Sequence, residues 1–438
     1  MAPVWLHLLK KHSCNEKDQH PVLFSNCHQA TYLNWPMSSS GSHLGMRVCV
    51  IFFNLGGYHL ARLDAAHEAC RLSGWELVAI QIAENTSEHP WGNVALPDYV
   101  TTLMPFQEGA EPVLSDQKFL VDALNILNPD VVAIPGWGFD FARTALKWCQ
   151  RQRRISVLMS ESKFDDAPRR WWKELAKRLL SVRHFSSSIV GGQKHRSYLK
   201  RLGMRDDQIF EGYDIVDNQY FINEVDRLRR AENSEERPNC VQGRRFFVAV
   251  NRFIPRKNLT TLIEAFAQFR ERLSSSETWD LVLLGDGPQK VELHSIVQKK
   301  KLEARVHFPG FQTYKEICRW YAFADAFVHP ALTEQWGLVV NEAMASALPV
   351  ILSNACGCFP DLMLEGTSGF SFDPSDQNEL TAKLLALAHD EPLRKRMVLA
   401  ARGHILTNYS PKHFAKGLIS AIHVAQSGSG VSRTTGPQ

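Results

Sequence analysis

Twice along this chain an apolar, strand-like run is followed by a short turn and then by a helix, and the cycle repeats. "MRVCVIFF" (46–53) is a continuous β-branched and aromatic run, the mark of a strand buried on both faces. "NLGGYH" follows as a glycine turn, "LARLDAAHEACRLSG" reads as a helix with a C-cap glycine, and "WELVAIQI" is the next strand. "PDVVAIPGWG", the helix "FARTALKWCQRQ" and the strand "RISVLMSES" continue the pattern. It restarts with "RRFFVAVNRF", "NLTTLIEAFAQFRERL", "WDLVLLGDG", "KVELHSIVQKKK", "RVHFPGF", "YKEICRWYAFA" and "AFVHPAL", and runs on to "PVILSN". Strands alternating with helices of this length predict βαβ units and a doubly wound parallel sheet. The expected fold class is α/β, with two Rossmann-like domains facing an interdomain cleft.

The boundaries follow from where the alternation starts, breaks and stops. Residues 1–45 carry scattered His, Asn, Ser and Cys without a period and are expected to form a disordered extension. The N-terminal domain is expected over 46–222. "NEVDRLRRAENSEERPNCVQGRR" (223–245) is charged with little apolar content and reads as a linker. The second domain should span 246–401. Helices over 402–426 should pack back toward the N-terminal domain, and 427–438 should be a flexible tail. A length of 438 residues suits two domains.

Bulk properties exclude some functions. A formal net charge of +4 is too mild to argue for nucleic acid, so none is expected as a partner. The nine cysteines are odd in number and scattered, which argues for reduced, structural thiols. No run of 18 apolar residues exists, so no membrane-spanning helix is expected, and the expected location is the cytoplasm.

Open α/β sheets bind ligands beyond the carboxyl ends of their strands. Four such segments in the second half would share one rim: "NRFIPRKN" with Arg252, Arg256 and Lys257, "LGDGP" with Gly285 and Gly287, "PGF", and "LTEQWGLVVNEA". Basic residues, turn glycines and a helix N-terminus at Gly337 and Leu338 would then converge as an anion site suited to a diphosphate. Glu334 and Glu342 stand eight positions apart, one before that helix and one inside it. Glu342 could accept hydrogen bonds from vicinal sugar hydroxyls, and Glu334 would lie on the far side of the phosphates. Any one of these segments alone is better read as an ordinary turn with solvated charge; it is their coincidence that points to a nucleotide-sugar site.

These residues resemble the retaining GT-B glycosyltransferases of the glycosyltransferase family 4 group (glycosyl transferases group 1). The E-x7-E motif is Glu334 to Glu342, the basic pair is Arg252 and Lys257, and "LGDGP" and "PVILSNACGCFPDLMLEGTSGF" match the same family. The resemblance implies that Arg252 and Lys257 neutralise the donor diphosphate, that Glu342 meets the ribose, and that Glu334 meets the transferred sugar. It also implies an N-terminal domain for the acceptor, with Gly56 and Gly57 facing the phosphates across the cleft. Many family members have a His at the end of the strand "ISVLMSES"; here that place reads Ser160-Glu161-Ser162, so Glu161 is the candidate, with His59 a second acceptor-side candidate.

The implied reaction transfers a hexose from a nucleotide sugar to a saccharide or lipid-linked acceptor with retention. No Asp-x-Asp triplet occurs in the chain, and cations occupy the phosphate-side loop instead, so neither metal nor other cofactor is expected. Two alternatives share these motifs: a nucleotide-sugar 2-epimerase of the same fold, and a non-catalytic nucleotide- or glycan-binding protein. Finally, "PRRWWKELAKRLLSVRHF" (168–185) reads as a basic amphipathic helix with Trp171, Leu175, Leu179 and Val182 on one face. That face is expected to pack into the core; the other reading is peripheral docking on an anionic membrane.

Overall fold

The computed structural model describes residues 45–83, 95–104, 117–231, 236–273 and 278–428. Most of the expected N-terminal extension and residues 429–438 of the tail lie outside that range. The first sheet contains β1 Arg47–Phe52, β2 Glu76–Ala83, β3 Val100–Met104, β4 Val131–Pro135, β5 Ile155–Ser160, β6 Ser187–Val190 and β7 Ile209–Glu211, ordered β3-β2-β1-β4-β5-β6-β7. The second contains β8 Arg245–Val250, β9 Trp279–Leu284, β10 Val306–Gly310, β11 Ala326–His329, β12 Val350–Ser353 and β13 Gly369–Phe372, ordered β10-β9-β8-β11-β12-β13. Every pairing in both sheets is parallel. Strand order reverses between β1 and β4 and between β8 and β11, the two places where such sheets open a ligand crevice.

The apolar runs form strands because helices cover both faces of each sheet. Val48 and Val50 of β1 point into one cluster, Cys49 and Ile51 into the other, and all four are fully buried. The β8 residues Phe246 and Val248 divide from Phe247 and Ala249 in the same way. The seven described cysteines are free thiols, and six of them are buried.

Two expectations fail. The first half of the 223–245 segment is not linker: the helix Asn218–Arg230 enters it and belongs to the second domain. Phe221, Val225 and Leu228 form a buried stripe against Trp320, Val340 and Met344, while Arg227 and Arg230 are exposed. Arg402 anchors Asp226 at 2.7 Å, and Arg229 donates to the Ala322 carbonyl at 2.8 Å. The second failure is the helix Trp171–Leu180. It buries none of its residues, and Trp171 is 78% and Leu180 75% exposed. Only Val182, beyond its end, enters the core.

The chain's last helix, Pro411–Gly428, returns to the first domain. Phe414, Leu418, Ala421 and Ile422 complete the cluster around Val48, Val50 and Ile189. Ser187 donates to the Ala421 carbonyl at 2.8 Å. The preceding helix, Glu391–Asn408, stays with the second domain through Ala401 and Ile405.

Candidate functional site

The strand ends of the second domain are packed closely against one another. Gly285 and Gly287 have φ of +131° and +153°, where only glycine sits without strain. A Cβ on Gly285 would lie 1.9 Å from the Asn251 carbonyl oxygen, and one on Gly287 2.7 Å from that of Phe253. These glycines therefore let "LGDGP" press against the loop that carries Arg252 and Lys257. Arg252 stands exposed on the rim of that loop.

Lys257, Glu334 and His329 form the centre. Glu334 accepts from Lys257, and its Oε2 lies 3.4 Å from His329 Nε2. Burial by itself would raise the Glu334 carboxyl, but His329 and the Lys257 charge outweigh it and hold the group well below the usual range. Burial pushes His329 down, so the ring is neutral near pH 7. Gly337, with φ of +107°, turns the chain into the helix Leu338–Ala345, and its would-be Cβ lies 3.4 Å from Glu334 Cγ. Glu334, Gly337 and Leu338 are thus grouped at one helix start. An isolated bridge from Glu334 to Cys356 and a bond from Gly357 N–H to the Glu334 carbonyl at 3.0 Å fix that loop.

Glu342 does not face open cleft. It is 1% exposed and accepts from Tyr321 at 2.8 Å and from Tyr58, which reaches it from the other domain. Burial raises its carboxyl to about 7, against a partial lowering by the two tyrosines. A ribose could meet Glu342 only by taking the place of the Tyr58 hydroxyl. Tyr58 follows Gly56 and Gly57 at the start of the helix Gly57–Leu72, and a Cβ on Gly57 would lie 3.5 Å from the Tyr314 ring. The glycine pair thus faces the second domain at close range. His59 caps its own helix: its Nδ1 accepts from the Gly56 N–H at 3.1 Å, and its ring meets Phe52 edge-on at 4.7 Å.

Glu161 follows β5 at the cleft, half-buried. Beside it is Asp214, which the sequence reading did not single out. Asp214 is 1% exposed. Arg62, 2% exposed, donates to the Tyr213 carbonyl at 2.5 Å, and its positive charge acts on both carboxyls.

The domains also meet through the helix Gln193–Arg201. Gln193 N–H points at both Asp361 oxygens at 3.2 Å, and Lys194 Nζ donates to the Asn354 and Cys356 carbonyls at 2.8 and 2.9 Å. His195 Nε2 lies 2.9 Å from the Gln335 carbonyl, while its Nδ1 accepts from the Gly192 N–H at 3.2 Å. Burial lowers His195 to about 4, so the ring is neutral and the proton sits on Nε2. None of these cross-domain partners carried a sequence signal, because each depends on which strand ends the fold brings face to face. Among the described residues, no group of three or more His, Cys, Asp or Glu could hold a metal ion.

Residues 231–404 match the family described as Glycosyl transferases group 1. Sulfoquinovosyl transferase SQD2 of Arabidopsis thaliana is 31% identical over 188 residues, covering 42% of this chain and 33% of that protein. Alpha-monoglucosyldiacylglycerol synthase of Acholeplasma laidlawii is 29% identical over 130 residues, covering 30% of this chain and 32% of that protein. The chain's match thus spans about a third of the length of these relatives. Among solved structures, Anabaena HepE in complex with UDP and glucose superposes with a TM-score of 0.64 at 18% identity, over 86% of this chain and 99% of that one. The fold is that of the GT-B glycosyltransferases: two Rossmann-like α/β domains with parallel sheets.

Proposed function

We propose that the protein is a glycosyltransferase of group 1 whose residues 231–404 bind a nucleotide sugar. It transfers a hexosyl group, with retention, to a saccharide or lipid-linked acceptor. The observation that carries this reading is the Lys257–Glu334–His329 cluster at the start of the helix Leu338–Ala345, facing the first domain. A departing diphosphate needs fixed positive charge, and Lys257, with Arg252 on the rim, supplies it without a metal. When the diphosphate draws Lys257 toward itself, Glu334 is released toward the sugar. It keeps His329 as a neighbour there, at 3.4 Å. The relatives named above, one a sulfoquinovosyl transferase and one a glucosyldiacylglycerol synthase, support a sugar donor and make a lipid-linked acceptor the first to try.

The acceptor and the helix Trp171–Leu180 belong to one reading. Trp171, Trp172, Leu175 and Leu180 are exposed beside Arg169, Arg170, Lys173 and Arg178. Exposed aromatics amid cations suit a peripheral contact with an anionic lipid surface. No described helix is long and apolar enough to cross a membrane.

The test is a panel of UDP-, GDP- and ADP-sugars in a thermal-shift assay. A native-state ligand present at 100 times its Kd stabilises by about 2.7 kcal/mol. The best donor is then incubated alone and with lipid or saccharide acceptors, with and without EDTA. Acceptor-dependent release of the nucleotide, undiminished by EDTA, is expected. An epimerised donor formed without acceptor would replace this reading with the epimerase, and failure of every nucleotide sugar to bind would end it.

A further inference from the structure

We infer that the first domain positions Glu334 of the second, through a hydrogen bond from His195 to the Gln335 carbonyl. The inference deepens the glycosyltransferase reading above and rests on it: Glu334 meets the transferred sugar, and His195 holds its loop still. Glu334 stands between β11 and the helix Leu338–Ala345, on neither of them. A loop carboxylate is only as well placed as the groups that fix its backbone. Its side-chain partner Lys257 is the one a diphosphate draws away, so the backbone needs holders that the donor does not disturb.

His195 is such a holder. The ring is fully buried. Its Nδ1 accepts from the Gly192 N–H at 3.2 Å, so the proton is on Nε2, which donates to the Gln335 carbonyl at 2.9 Å. The Gln335 side chain is exposed, so His195 grips the backbone of that residue, one position beyond Glu334. The Glu334 carbonyl is held in turn by the Gly357 N–H of the second domain at 3.0 Å. Two successive carbonyls are thus fixed, one from each domain. Gly357 also makes the room: its would-be Cβ overlaps the Gln335 oxygen and lies 3.1 Å from His195 Cε1.

The next residue carries a second tether to the first domain. Trp336 is 2% exposed, and its ring lies 5.7 Å from that of His195. Its Nε1 donates to Asn341 at 2.8 Å, and Asn341 Nδ2 donates to the Asp214 carbonyl at 3.4 Å. A Cβ on Gly191 would fall 2.9 Å from the Trp336 ring, so a glycine after β6 lets that ring seat against the first domain. These contacts lie beside the point where the chain crosses over: Ile215 packs in the first domain's cluster and Val216 in the second's. A contact beside the crossing swings through a short arc when the cleft opens, so it can hold Glu334 in both forms. His195 acts through Glu334 and is a positioning residue.

The test separates the two ring nitrogens. In His195→Asn the side-chain oxygen replaces Nδ1 and keeps the bond from Gly192, while nothing replaces Nε2. In His195→Gln the amide nitrogen replaces Nε2 and can donate to Gln335. The full chain is given saturating UDP-, GDP- or ADP-glucose, whichever binds most tightly, with water as acceptor and nucleotide release as the signal. His195→Asn should lower release by up to about a hundredfold, the order expected when a remote change misplaces a reacting group. His195→Gln should recover most of it. The Kd of the free nucleoside diphosphate, which has no sugar, should stay within about threefold in both. In a Glu334→Gln background, His195→Asn should cost nothing further, because the group it acts through is already gone. Trp336→Phe keeps a buried ring and loses only the tether through Asn341, and should show a smaller loss with the same non-additivity; it decides the matter if His195→Asn does not fold. A role confined to capping the helix Gln193–Arg201 predicts the reverse order, with His195→Asn normal and His195→Gln impaired. That order, or losses that add to those of Glu334→Gln, or release within about twofold of wild type in His195→Asn, would overturn the inference. A wild type that binds none of the three sugar nucleotides, or binds one and never releases its nucleotide, would instead overturn the functional reading.

Discussion

Lys257 and Glu334 hold one another until a diphosphate separates them, and this sets different expectations for the two. Lys257→Ala removes positive charge from the leaving group and leaves Glu334 with His329. Turnover should drop about a hundredfold at saturating donor, the order expected for losing one preorganised charge-stabilising group. Glu334→Gln should lower turnover more than it raises KM, because its contact with the sugar strengthens as the glycosidic bond breaks. Near-normal turnover in both variants would remove this centre from the mechanism. Glu342 belongs to stability as well. Its carboxyl rises from an ordinary 4.5 to about 7, so the folded chain holds a proton that the unfolded chain has lost. That contribution is complete below about 4.5 and is lost as pH rises through about 7. Urea midpoints should therefore fall across this window, by at most about 1.4 kcal/mol per pH unit for one proton. Glu342→Gln, whose oxygen can accept from one tyrosine while its amide donates to the other, should make the slope shallower. An unchanged slope would show that Glu342 stays ionised.

At the scale of elements, the parts legible in the sequence were those whose burial is uniform. β1, β8 and β9 are apolar on both faces because helices cover both, and runs such as "MRVCVIFF" announce this directly. The basic loop and the Glu334 turn were legible because polar residues at strand ends have few other reasons to recur. The helix Asn218–Arg230 was hidden by its charges: five of its residues after Ile222 are Asp, Glu or Arg, and they mask the stripe of Phe221, Val225 and Leu228. Phe221→Ala should cost about 3–5 kcal/mol, the usual loss for emptying a buried aromatic site, whereas a linker residue would cost almost nothing. Chemical denaturation decides between them. The helix Trp171–Leu180 was misjudged for the opposite reason. Helical spacing reports that one face is apolar, not what covers it. Replacing Trp171 and Leu180 by Ser should leave the melting temperature unchanged, since neither side chain is buried, and should abolish sedimentation with anionic vesicles. Retained vesicle binding would exclude this face as the contact. Tyr58 and Arg62 could not have been found in sequence, because their meaning depends on partners 284 and 151 residues away along the chain.

For the whole molecule, the helix Pro411–Gly428 is a C-terminal segment that belongs to the N-terminal domain. Deleting it should expose Val48, Val50 and Ile189, giving a chain that precipitates or binds apolar dyes even though the second domain is intact. A soluble, dye-silent truncation would show that the first sheet is stable without it. Its docking also leaves little room for drift. Gly212, at φ of +109°, and Gly417 both lie against backbone: their would-be Cβ atoms fall 2.7 Å from the His413 oxygen and 2.5 Å from the Glu211 oxygen.

That crossing also orders events at the ribosome. Domains generally fold as units in the order of their synthesis. Here the first domain emerges with one sheet face covered only in part, by Leu63, Ala66 and Cys70, and the residues that complete it are translated only after the entire second domain. The nascent chain must therefore carry a partly unsealed apolar face while the second domain is made. Chaperone dependence should end when residue 428 clears the exit tunnel, not when β7 does.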